Sequence, residues 1–121
     1  MKLHGEGKLL RIFIGESDRV DHHSLCTTLV KAAREAGLAG ATVLRGAEGF
    51  GANSRAIHTA RILRLSEDLP MVVEIVDTEE KIATFLPRVE DLLERSGGGA
   101  MVTLEKVEVI HYGSARKTDH G

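Results

Sequence analysis

The chain has 121 residues, enough for one hydrophobic core and too few for two, and its 42% apolar share is that of a globular protein. Three Phe, one Tyr and no Trp leave the core to aliphatic residues and argue against a stacking platform for single-stranded nucleic acid. A net charge of -2 argues against a general DNA-binding face, and a single cysteine, Cys26, excludes an internal disulfide or a cysteine zinc cluster.

Residues 8–15, KLLRIFIG, form an Ile- and Leu-rich run closed by Gly15, the pattern of a strand. Asp21 is then expected to cap a helix whose apolar positions are Leu25, Leu29, Ala32, Ala33 and Ala36. Gly37 is its natural stop. Residues 40–46, GATVLRG, predict a second strand, and LPMVVEIVD at 69–77 predicts a buried third one. Asp77 and Glu80 stand three apart, the spacing of a capping pair. A second helix follows, with Ile82, Phe85, Leu86, Val89, Leu92 and Leu93 on one stripe. Pro87 falls inside it and should kink the helix or start a new turn, because the periodicity continues beyond. The loop SGGG at 96–99 leads to a closing strand over 101–112, and the polar tail 113–121 completes the chain.

This order predicts one α+β domain over 1–121, with its core at about 8–112. The arrangement is the ferredoxin-like βαββαβ fold, an antiparallel sheet with both helices on one face and an insert between the second and third strands. No apolar run approaches the roughly 20 residues of a membrane span, and MKLHGEGK starts no signal sequence. A soluble cytoplasmic protein without direct membrane insertion is expected.

The insert, extending to about Asp68, is the unusual part. Arg45, Arg55, Arg61 and Arg64 face a single acid, Glu48, over residues 45–64. Glycines at 46, 49 and 51 let the backbone approach a ligand closely. An anion site and a solvated hairpin are both compatible with this stretch. It has neither the Walker ending nor the Rossmann fingerprint.

The order of elements, with GATV at 40–43, GFG at 49–51 and the glycine loop at 97–99, resembles the PII signal-transduction proteins. The wording GATVLRGAEGFG and SRAIHTARILRLSEDLPMVVEIVD is most similar to the uncharacterised PII-like group called domain of unknown function 190. The resemblance spans about residues 8–112. It implies a homotrimer that binds an adenine nucleotide (ATP, ADP or AMP) in clefts between subunits. Gly40, Thr42, Gly49, Phe50, Gly51, Gly97, Gly98 and Gly99 would line that cleft, and the loop would meet a membrane or regulatory partner protein. Arg45 and Arg55 are the candidate anion contacts.

The departures concern charge. PII proteins usually place a lysine where this chain has Ala100, and two arginines where it has His111 and Gly113. The loop tyrosine is absent as well. Arg45, Arg55, Arg116 or Lys117 are candidates to replace the lost cations.

Other chemistries are weaker. His22 and His23 are adjacent and point about 100° apart on a helix, and His4, His58 and His111 are scattered, so no metal site is assigned. Ser54, Ser66 and Cys26 lie in no nucleophile motif, and Cys26 reads as a small buried apolar residue. Glu67 and Asp68 read as turn residues, and Glu74 and Asp77 as solvated or capping carboxylates. An enzyme is therefore not expected. The alternative to a nucleotide sensor is a trimeric metal-binding or structural protein, similar in architecture to the cation-tolerance family.

Overall fold

Residues 5–51 and 68–113 are described by a computed structural model of the chain. Strand β1 (Gly5–Gly15) alternates as a half-buried strand should: Leu10, Ile12 and Ile14 point into the core, while Arg11 and Phe13 point to the opposite face. It starts three residues before the apolar run. β1 is followed by a small hairpin, β2 (Arg19–Val20) and β3 (His23–Ser24), that the sequence reading missed. Both turn residues, Asp21 and His22, have positive φ, at 52° and 69°.

Helix α1 (Leu25–Glu35) is therefore capped by Ser24 and not by Asp21. The Ser24 hydroxyl accepts from the amide of Thr27, and Asp21 is held in the hairpin turn, where its carboxylate pairs with Arg95. Leu25, Cys26, Leu29, Ala32 and Ala33 are buried as expected, whereas Ala36 is an exposed C-cap. Gly37 takes φ 78°, the left-handed C′ conformation.

Strand β4 (Thr42–Arg45) is shorter than the expected 40–46. β5 (Pro70–Asp77) leads into α2 (Glu79–Arg95), whose N-cap is Thr78; its hydroxyl accepts from Lys81, so the Asp77–Glu80 pair does not cap it. Asp77 is instead fully buried. The helix runs through Pro87, which is exposed, as is Ala83, whose carbonyl loses its usual donor there. β6 (Met101–Val109) ends three residues earlier than expected.

The four long strands form one antiparallel sheet in the order β4-β5-β1-β6, which is the ferredoxin-like order. Register sets Leu10 opposite Ile75 and Ile12 opposite Val73, and this face packs against Leu25, Leu29, Ile82, Phe85 and Val89 of the two helices. Among the described residues no helix covers the other face. There Arg11 bridges Glu74 of β5 and Glu105 of β6, both at 2.9 Å, which raises the guanidinium pKa chiefly through the Glu74 hydrogen bond. Glu74 is thus an ion-pair partner rather than a solvated or capping group.

Candidate functional site

The base of the insert closes a cavity of about 250 Å³ at one end of the sheet. β1 contributes Phe13 to Gly15 from its last residues. The chain leaving β4 contributes Gly49, Phe50 and Gly51, and the turn after α2 contributes Gly99, Ala100 and Met101. Asp68 and Pro70 close the side from the start of β5. The architecture brings these segments together because the C-terminal end of β1 lies between the start of β5 and the start of β6.

The glycines divide by role. Gly98 donates to Leu93 O at 2.8 Å and Gly97 to Glu94 O at 3.1 Å, with φ of 81° and 118°. Both amides are thereby spent on closing the C-terminus of α2 and cannot also face a phosphate. Among the described residues the amide of Gly99 has no acceptor, so in this turn it is Gly99 that remains open to a ligand. Gly46 fixes the approach to the loop: its amide donates to Pro70 O at 2.7 Å, and a Cβ there would lie 2.8 Å from Pro70 Cγ.

Gly40 and Thr42 lie elsewhere. With Ala39, Ala41, Glu74, Val76, Val109, His111 and Tyr112 they form a second cavity of about 280 Å³. Along β5 the two cavities are separated by the step from Pro70 to Glu74 and Val76, about 13–20 Å at strand rise. One chain therefore does not unite the predicted site residues. Arg55 lies outside the described residues, as do Arg116 and Lys117.

Among the described residues the loop base is lined by carboxylates, those of Glu16, Asp18 and Asp68. Arg45 pairs with Glu16 at 3.0 Å, and neither cavity has a Lys or Arg in its described wall. Asp18 accepts from the Gly15 amide at 2.9 Å. Burial pushes its carboxyl pKa up, the Gly15 hydrogen bond opposes this, and the nearby Asp68 adds to the rise. Asp68 in turn accepts from the Ser17 amide at 3.3 Å, and a Cβ on Gly15 would come within 2.6 Å of its Oδ1. Sequence reasoning gave Asp68 only a turn role and gave Phe13, Pro70, Met101 and Tyr112 no site role. A lone aromatic or carboxylate at a strand end carries no local signal of a shared wall.

Cys26 is buried, and that burial raises its thiol pKa. Among the described residues no group of three or more His, Cys, Asp or Glu is placed to hold a metal ion. No described helix is long and apolar enough to cross a membrane.

The fold is that of the PII-like proteins. A PII-like signaling protein (TTHA0516) from Thermus thermophilus superposes with TM-score 0.59 at 22% identity, covering 91% of this chain and 94% of that one. CPII from Thiomonas intermedia K12, in a structure bound to ADP, AMP and acetate, superposes with TM-score 0.62 at 17% identity, covering 92% and 94%. At such identity the likeness shows the fold. The chain belongs to the family described as "Uncharacterized ACR" (DUF190), whose profile matches residues 7–109. A UPF0166 protein of Aquifex aeolicus is 41% identical over 86% of this chain and 93% of its own length. The UPF0166 protein MJ1524 of Methanocaldococcus jannaschii is 33% identical over 76% and 83%.

Proposed function

We propose that this protein is a non-enzymatic, cytoplasmic PII-like regulator. In this reading it binds an adenine nucleotide between subunits of a homotrimer and signals to a partner protein through the loop after β4. One observation carries the reading: the residues expected to share a cleft fall into two cavities of one chain, about 13–20 Å apart along β5. A second copy that sets the Gly40–Thr42 cavity of one subunit against the Gly49–Gly51 and Gly99 cavity of another would unite them.

Further support comes from the sheet face that no described helix covers. Phe13 is 37% exposed, Leu44 48% and Met101 61%, and the register places all three on that face, Phe13 opposite Met101 and both Phe13 and Leu44 opposite Val72. Apolar area of this kind on a soluble chain marks an interaction surface. CPII, which shares the fold, has been seen with ADP and AMP.

Light scattering combined with calorimetric titration of AMP, ADP and ATP tests this. The expected result is a trimer mass with saturable heat for at least one nucleotide. A monomer at micromolar concentration, or no heat with any of the three, would overturn it.

A further inference from the structure

Three side chains distant in sequence converge on the short irregular segment between α1 and β4. Asp77 is fully buried at the end of β5, and its Oδ2 accepts from the Ala39 amide at 2.8 Å while Oδ1 accepts from the Thr78 amide at 2.6 Å. The Tyr112 hydroxyl, beyond β6, donates to the Ala39 carbonyl at 3.0 Å. Lys81 Nζ, from the first turn of α2, donates to the Gly37 carbonyl at 2.6 Å. The Ala39 peptide is thus held on both of its polar groups, by partners 38 and 73 residues away.

This segment belongs to neither the helix nor the sheet, so no ladder fixes it. Burying a carboxylate is costly unless its oxygens are bonded, and here both are spent on backbone amides. Ala39 and Tyr112 line the same cavity as Gly40, Thr42 and His111. The tethers therefore set where the Gly40–Thr42 backbone stands and how wide that cavity is.

We propose that Asp77 and Tyr112 are positioning residues for the Gly40–Thr42 half of the ligand site, acting through the Ala39 peptide. The proposal rests on the nucleotide reading given above. It adds that the Tyr112 hydroxyl senses occupancy, since a ligand seated against Gly40 and His111 shares its cavity.

Tyr112 is the only tyrosine and the chain has no tryptophan, so tyrosine emission reports this cavity alone. The experiment titrates ADP into the wild-type protein and Tyr112→Phe, following binding heat, melting temperature and hydrogen exchange of the Ala39–Thr42 amides, with tyrosine emission followed in the wild type. If this bond positions the Ala39 peptide for the ligand, its loss should weaken ADP binding by about two- to tenfold, speed that local exchange, and lower the melting temperature of the ligand-free protein by no more than a few degrees. Wild-type emission should change on saturation. Asp77→Asn should act more strongly, because its amide nitrogen would face an N–H donor; if it fails to fold, Tyr112→Phe carries the test. Equal affinity in the wild type and Tyr112→Phe, with or without faster exchange, would overturn this proposal alone. Absence of ADP binding to the wild type would overturn the nucleotide reading and this proposal with it.

Discussion

The guanidinium of Arg45, the last residue of β4, lies 3.0 Å from the carboxylate of Glu16 in the turn after β1. Arg45 is thus already matched within its own chain, and a ligand anion must compete for it. The pair is exposed, so its own contribution is small, about 0.2–1 kcal/mol. We predict that Arg45→Ala weakens nucleotide binding by about 1.5–3 kcal/mol, the range for a charge-assisted hydrogen bond, while stability falls by less than about 1 kcal/mol. Glu16→Gln should tighten binding, since it frees the guanidinium. Calorimetry on both variants decides this; unchanged affinity in the two would show that Arg45 does not reach the ligand.

Gly46 is the residue that lets the chain leave β4 beside Pro70. An alanine Cβ would sit 2.8 Å from Pro70 Cγ and 3.3 Å from Pro70 O while the Gly46 amide is bonded to that same oxygen. Gly46→Ala should cost about 1–3 kcal/mol by overpacking and displace the loop base. Denaturant melts would read the first effect. Full wild-type stability would show that the ring can step aside.

The β2–β3 turn puts Asp21 and His22 at φ 52° and 69°, a conformation that a two-residue hairpin ordinarily fills with Asp-Gly or Asn-Gly. His22→Gly restores that pattern without touching the Asp21–Arg95 ion pair. It should stabilise the fold by about 0.5–1 kcal/mol, the left-handed penalty less the entropy of an added glycine. A lower melting temperature in this variant would mean that the His22 side chain makes a contribution larger than the strain.

Asp18 supplies a pH dependence with a definite sign. Its folded pKa is raised above the ordinary 3.8 chiefly by burial. The folded state therefore holds the proton more tightly than the unfolded chain. The resulting stabilisation is full below the unfolded value and is lost as pH rises through the folded one. Asp18→Asn keeps an oxygen for the Gly15 amide and removes the titration. Its melting temperature relative to wild type should be higher at pH 7 than at pH 4, and a difference that is flat with pH would contradict this.

Much of the architecture is written locally. Alternation in KLLRIFIG, the 3.6-residue stripe from Ile82 to Leu93 and the stop at Gly37 are signals that a short window contains, because each depends on which side of one element meets the core. The element order then leaves few right-handed, uncrossed topologies, and the ferredoxin-like sheet is among them. The hairpin at 19–24 was not legible, since two residues per strand set no period and its turn carries no glycine. Nor were the caps at Ser24 and Thr78, each one of several polar residues that could serve.

The site was decided in three dimensions. Gly40 and Gly51 lie close in sequence and look like one locus, yet the extended β4 runs between them and sends them to separate cavities. The glycine turn reads as a row of phosphate-facing amides, but the last turn of α2 needs two of them for its carbonyls. Asp77 reads as a cap, and only tertiary packing turns it into the buried acceptor for Ala39. Patterns of burial are properties of single elements, so the chain spells them out. Which polar groups remain unpaired, and which ends of strands share a wall, depend on partners that can lie 73 or more residues away and exist only once the sheet has closed.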